Sequence, residues 1–218
     1  MLFRSKVKTS YIADGHHRAA SASRVSKLLA EANPKHKGDE AYNYLLTCLF
    51  PSNQLKIYDY NRVVKDLNGI SEEELINRVK EKFELNEIKQ QEYTPANFHE
   101  IGMYLSGKWF QLFPKKKTFT DDPIGRLDVT ILQQNILSPI LGIEDPRIDK
   151  RIDFFAGTKG LSAIEKRVNK GKAAVAFALY PVSMQQLFDV SDTGGIMPPK
   201  STWFEPKLLS GLIISSFK

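Results

Sequence analysis

The period of the apolar positions changes repeatedly along the chain, and each change predicts an element. Residues 7–12 are β-branched and aromatic and run into Asp14-Gly15, which predicts a strand ending at a turn. Residues 18–31 carry the helix formers Ala19, Ala20, Leu28, Leu29 and Ala30 and stop at Asn33-Pro34, which predicts a helix. Residues 42–50 and 55–60 predict two strands of a hairpin about residues 51–54. Ser71 with Glu74 has capping-box spacing, and Leu75, Val79 and Phe83 fall on one helical face. Residues 89–97 are polar and predict a loop or lid. Residues 101–105 and 108–113 predict a second hairpin about Ser106-Gly107. Asp122-Pro123 predicts the start of a helix reaching Leu137.

Further on, residues 153–155 predict a short strand, Leu161, Ile164 and Val168 a helix stopped by Gly171, and residues 173–179 a buried strand. Ser183 with Gln186 is another capping-box spacing, with Met184, Leu187 and Phe188 inward and Gly194-Gly195 as the stop. Residues 212–217 predict a last strand. Helices alternate with strands, but hairpins are present too, so the expected class is α+β: a mixed sheet with flanking helices, in one domain over residues 1–218.

Composition narrows the function classes. With 42% hydrophobic and 26% charged residues in 218, the chain is globular rather than disordered. No apolar run approaches the roughly 18–20 residues of a membrane span, and the start lacks a signal-length apolar stretch, so no membrane partner is expected. Cys48 is the single cysteine, which excludes an internal disulfide and suits the cytoplasm, the expected compartment. Residues 1–37 hold eight Lys or Arg against Asp14 and Glu31, a local excess equal to the whole net charge of +6. That bias points to an anionic partner near this end or to a solvated basic surface.

The chemistry is densest at Asp14-Gly15-His16-His17-Arg18. Strand, glycine turn and helix start make a physically sensible site for a small phosphorylated ligand. Gly15 lets the backbone approach an anion, and the first helical N–H groups have no internal partner and lie at the positive end of the macrodipole. Arg18 adds a bidentate donor, and His16 and His17 add donors of adjustable charge. Asp14 would repel phosphate unless it acts as general base, as Mg²⁺ ligand, or as the salt-bridge partner of Arg18. Zinc at His16 and His17 fits poorly, because consecutive side chains diverge and no further ligands stand at suitable spacing.

Two later segments add candidates. Residues 196–207 follow Gly194-Gly195 and hold three prolines, a stiff loop in which Lys200, Ser201 and Thr202 suit phosphate or hydroxyl groups and Lys207 suits charge support. Trp203 and Phe204 pin it. Residues 145–153 alternate charge around two isoleucines. Arg147 and Arg151 there are candidate cations for phosphate, with a solvated ion-pair network as the default.

These residues resemble a bacterial family, the domain-of-unknown-function 1015 family, whose members carry an Ile-Ala-Asp-Gly-His-His-Arg box and a late Met-Pro-Pro-Lys-Ser-Thr-Trp-Phe-Glu-Pro-Lys box. Here they stand at residues 12–18 and 197–207. Phe50-Pro51-Ser52, Tyr60-Asn61-Arg62, Asp145-Pro146-Arg147, residues 151–154 and residues 177–181 also fit the pattern. The Gly-His-His-Arg element is similar to the phosphate-binding box of the ParB and sulfiredoxin superfamily, which includes free-serine kinases. The resemblance implies a ParB/sulfiredoxin-like strand–turn–helix and phosphoryl transfer from pyrophosphate or a nucleotide to a hydroxyl such as that of free serine. Gly15, His16, His17 and Arg18 would then hold the donor phosphates, with Asp14 as base or Mg²⁺ ligand. Histidine where sulfiredoxin has its cysteine argues against sulfinic-acid repair.

One departure matters. Only thirteen residues precede Asp14, where members carry a long segment that completes the sheet and, in the serine kinases, supplies a glutamate. The chain is therefore expected to be a C-terminal portion, with a second chain as candidate supplier of the rest. A non-catalytic nucleotide-sensing or partner-binding module is the alternative function. Nucleic-acid binding, suggested by the basic start and Lys115-Lys116-Lys117, ranks last because no recognition helix is visible.

Overall fold

The structure is a computed structural model that describes residues 7–89, 93–209, 211, 213 and 214. The chain divides into two compact units, Met1–Lys56 with Phe204–Lys218, and Ile57–Trp203.

The first unit is built on one helix. Helix α1 spans His16–Ala32, starts after Gly15 in the left-handed region (φ 83°), and ends at Asn33. It buries no residue fully; polar bonds tie it to the turn at Ala41–Asn43. Ser26 Oγ donates to Asn43 Oδ1 (2.8 Å), and Asn33 Nδ2 donates to Tyr42 OH (3.2 Å). Two expected strands are absent. Residues 7–13 take no strand, and Val7 and Ile12 are about half exposed. Residues 44–50 likewise have no regular structure, with Tyr44, Leu45, Leu46 and Leu49 exposed, and Ser52–Gln54 is a 3₁₀ turn instead of a hairpin loop. β-Propensity is a preference for a pleated, half-covered surface, and these segments have no ladder partner among the described residues. The predicted final strand at residues 212–217 lies mostly outside the described residues.

The second unit is a six-stranded sheet between helices. Its strands are β2 (Tyr60–Val64), β3 (Phe83–Ile88), β4 (Ile101–Leu105), β5 (Lys108–Pro114), β6 (Ile152–Ala156) and β7 (Val175–Leu179), after the short β1 (Lys56–Tyr58). They lie in the order β3-β5-β4-β7-β2-β6, and every neighbouring pair is antiparallel, a more uniform sheet than the mixed one expected. Strand β8 (Trp203–Glu205) follows at the passage to the first unit. The hairpin β4–β5 turns at Ser106 (φ 47°) and Gly107 (φ 82°), two left-handed residues whose twist matches the strands.

Helices α2 (Glu72–Lys82) and α3 (Asp128–Leu132) cover one face of this sheet, and α4 (Ser162–Asn169) covers the other. Alternation along β7 shows why both faces need cover. Val175, Phe177 and Leu179 belong to the larger core, Ala176 and Ala178 to the smaller one with Tyr104, Trp109 and Ile164. That is also why the sequence of β7 is an unbroken apolar run.

Two further differences have local causes. Phe83, expected on the last turn of α2, is extended and opens β3 opposite Pro114. The helix expected from Asp122 starts only at Asp128 and continues as a π-turn over Gln133–Leu137, because Asp122 Oδ1 accepts from the Ile124 and Gly125 N–H groups (3.0 and 2.9 Å) and holds a turn there.

The last helix, α5 (Met184–Asp192), has the capping box its sequence predicts. Ser183 Oγ accepts from Gln186 N (3.1 Å), and Ser183 N donates to Gln186 Oε1 (2.8 Å). Ser183→Ala should therefore destabilise the protein by about 1 kcal/mol, seen as a lower urea midpoint at unchanged m-value. An unshifted midpoint would mean that α5 frays without consequence for the second unit.

Candidate functional site

The turn before α1 is organised around Asp14. Its Oδ1 accepts from the Gly15 N–H (2.8 Å), and its Oδ2 accepts from Lys207 Nζ (3.0 Å), 193 residues away. The last residue of the late box thus meets the first box inside the first unit. No side chain caps α1, and its first turn holds no acidic residue, so the N–H groups of His16, His17 and Arg18 lack an intrahelical acceptor at the positive end of the helix. The Arg18 side chain folds back over Gly15: a Cβ placed there would stand 3.0 Å from Arg18 Nη2, and the positive φ disfavours any other residue as well. Among the described residues no carboxylate pairs directly with Arg18.

Burial works against ionisation of Asp14, but the Lys207 ammonium, the Gly15 N–H and the nearby Arg18 charge outweigh it and hold the carboxyl below its usual range. Asp14 therefore stays an anion through neutral pH. The pair is exposed, so it adds little stability; its consequence is geometric, since it draws Lys207 to the head of α1. His16 and His17 are both exposed there. Among the described residues no three His, Cys, Asp or Glu side chains converge as a metal site. Asp14 offers one carboxylate oxygen pair, already bonded to Lys207. That suffices for a Mg²⁺ ion only if phosphates and water supply most of its shell.

The other predicted residues belong to the second unit. Lys200 is exposed and left-handed (φ 56°), Ser201 is buried with Oγ donating to the Pro198 carbonyl (2.6 Å), and Thr202 is half-buried. Arg147 and Arg151 have carboxylate partners close by in sequence. Arg147 grips Asp145 with Nε and Nη2 (2.9 and 2.7 Å). Arg151 Nη2 bonds Asp149 (2.8 Å), and Arg151 also donates to the Leu141 and Gly142 carbonyls (3.0 and 2.8 Å), which fixes the loop before β6. Lys115, of the basic cluster, donates from Nζ to the Lys80 carbonyl (2.6 Å).

Sequence reasoning missed the buried charges of the second unit. Arg62 is buried on β2. Glu100 is buried and accepts from Gln111 Nε2 (2.8 Å), Tyr93 OH (2.9 Å) and the Ala96 and Asn97 N–H groups (3.1 and 3.2 Å). Burial opposes its charge, yet those donors keep its carboxyl below the ordinary value. Asp128 is buried too, and among the described residues only the His99 N–H donates to it (3.1 Å to Oδ1). Burial pushes its carboxyl up to about 8, the His99 N–H works the other way, and the Glu100 charge adds to the rise. Arg62 and Asp128 are defined by partners far along the chain, Lys200 and His99, while the partners of Glu100 lie within eleven residues but mark no motif.

A family model described as a protein of unknown function, DUF1015, matches residues 2–130. No curated protein matches the chain. Among solved structures, a mutant free serine kinase in complex with AMP is 18% identical at a TM-score of 0.48, the match covering 88% of this chain and 66% of that one. The same free serine kinase mutant in complex with ADP is 19% identical at a TM-score of 0.46, with the same coverage. A conserved hypothetical protein from Pyrococcus furiosus is 17% identical at a TM-score of 0.46, covering 88% of this chain and 68% of that one. The chain thus spans 66% of the length of those kinases. No helix among the described residues is long and apolar enough to cross a membrane.

Proposed function

The chain belongs to the DUF1015 family, and on that premise we propose that it binds a phosphorylated small ligand, pyrophosphate or a nucleotide, at the head of α1 and passes a phosphoryl group to a hydroxyl such as that of free serine. The observation that carries this reading is the Asp14–Lys207 contact beside Arg18 and the three helix N–H groups that no side chain caps. Gly15, His16 and His17 contribute backbone N–H groups to the phosphate, and Arg18 and Lys207 contribute charge. Asp14, ionised and fixed by Lys207, faces the same locus and accepts the proton of the incoming hydroxyl, or holds a Mg²⁺ that arrives with the phosphates. Such transfer needs positioning and charge neutralisation more than covalent chemistry. The transfer step rests on the likeness of the Gly-His-His-Arg element to the ParB and sulfiredoxin phosphate box.

A second reading, a non-catalytic nucleotide-sensing module completed by another chain, is favoured by one observation. Helix α1 buries no residue fully, and Val25, Leu28 and Leu29 along it are exposed. Calorimetric titration with pyrophosphate, ATP and ADP, each with Mg²⁺, separates these readings when followed by phosphorus NMR in the presence of serine. Binding with appearance of phosphoserine supports the kinase, and binding without turnover supports the module. A flat titration with all three ligands removes both.

A further inference from the structure

Arg62 is a buried cation without a counter-charge. It lies on β2 with 3% of its surface exposed, and among the described residues its guanidinium donates only to backbone carbonyls, those of Tyr60 and Lys200 (Nη2 to the latter 3.1 Å). Among the described residues no carboxylate pairs with it, and the acid just before β2 and the one on the adjoining strand have other partners. Asp59 accepts from Asn61 Nδ2 (2.5 Å), and Asp153, on the neighbouring strand β6, pairs with Arg167 (2.6 Å). A charge removed from water is normally matched by an opposite one, because leaving it alone costs solvation that carbonyl dipoles only partly return. Burial pushes the Arg62 guanidinium down to about 9, with Tyr60 working the other way, so it still carries its charge at neutral pH.

The carbonyl it holds belongs to a constrained turn. Lys200 is one of few residues here in the left-handed region without being glycine (φ 56°), which costs energy unless neighbours impose it. Two bonds do so: Ser201 Oγ to the Pro198 carbonyl and Arg62 Nη2 to the Lys200 carbonyl. The exposed Lys200 ammonium rests 5.8 Å from the centre of the Tyr60 ring, and Tyr60 in turn meets Phe154 and Trp203 edge-on. Arg62 lies over Phe154 (5.4 Å). Two cations are thus collected over an aromatic floor in the second unit.

We propose that Arg62 is a positioning residue for an anion-binding turn at Lys200: it fixes the turn from which the Lys200 ammonium meets a phosphate, and its own unmatched charge draws that phosphate in. This rests on the reading of the protein as a phosphate-ligand binder, and it adds a buried residue that does not touch the ligand. Lys200 exchanges its ring contact for the anion, a change of partner for an ammonium that never needs to be buried.

Pyrophosphate affinity is measured by calorimetry for the full chain and for Arg62→Met, Arg62→Lys, Lys200→Met and the Arg62→Met/Lys200→Met double variant, with Arg18→Ala alongside. Circular dichroism and melting confirm that each variant is folded under the titration conditions. Arg62→Met should weaken binding roughly tenfold or more, and Arg62→Lys, which keeps the charge, should recover part of that loss. On the Lys200→Met background the effect of Arg62→Met should shrink, because one residue acts through the other. Unchanged affinity in folded Arg62→Met, or strict additivity in the double variant, overturns the inference. Should Arg18→Ala lose binding while Arg62→Met keeps it, the phosphate reading stands and this inference falls. Should the unmodified chain bind no pyrophosphate, both fall. Should the Arg62 variant not fold at all, Arg62→Lys with Lys200→Met carries the same cycle.

Discussion

Asp128→Asn should make the protein insensitive, between pH 4 and 8, to a loss of stability that the unmodified chain undergoes. The carboxyl has an ordinary value near 3.8 when unfolded and about 8 when folded. Between those values the native state holds a proton that the unfolded state has released. Stability then falls as pH rises through this window, by roughly 1.4 kcal/mol per unit at most. The full effect is several kcal/mol, enough to dominate a domain of ordinary stability. The asparagine amide keeps an oxygen for the His99 N–H and cannot ionise beside Glu100. Carboxyls held low in the fold, such as Asp14 and Glu100, act in the opposite sense and only near their own low values, so they contribute little slope above pH 5. Urea unfolding at pH 5 and pH 8.5 reads the difference. The variant's advantage over the unmodified chain should be several kcal/mol larger at the higher pH than at the lower. If the slope persists in Asp128→Asn, another group carries it, and the buried environment assigned to Asp128 is wrong.

What could be read from the sequence follows from how local each signal is. The β4–β5 hairpin was legible because Ser106-Gly107 contains its own turn chemistry, and α5 because Ser183 and Gln186 cap each other within one turn. Strand β7 was legible because cover on both faces leaves no polar position in it. Residues 7–12 and 44–50 failed for the converse reason. Their side chains suit a strand, but a strand exists only with a partner, and partners are not written in the segment itself. The same division runs through the candidate sites. Asp14, Gly15 and Arg18 are a local constellation, so one short segment is enough to nominate them. That Lys207 would meet Asp14 could be anticipated only from the pairing of two boxes. Arg62 stood in a segment that fits the family pattern, but no role could be read for it: its meaning comes from Lys200, 138 residues away.

Arg18→Ala should leave the fold intact and remove most of the affinity for pyrophosphate. The side chain is exposed, has no carboxylate bonded to it among the described residues, and sits in the first turn of a helix where alanine is at least as good a helix former. Its removal should therefore shift stability by less than about 0.5 kcal/mol. Binding is another matter. A guanidinium bonded to phosphate in bidentate fashion contributes about 3 kcal/mol, roughly a hundredfold in affinity. Arg18→Lys should recover only part of this, since an ammonium supplies the charge without the planar fork. Removing Arg18 also withdraws one of the charges that hold the Asp14 carboxyl low, so Asp14 should titrate slightly higher in the variant, which a carboxyl-carbon NMR titration detects. The two readouts separate the site from the scaffold. A loss of affinity with an unchanged melt and a raised Asp14 titration places the phosphate at the head of α1. Undiminished pyrophosphate binding in a folded Arg18→Ala protein would show that the Gly15–Arg18 turn is structural and that the anion, if any, is held elsewhere.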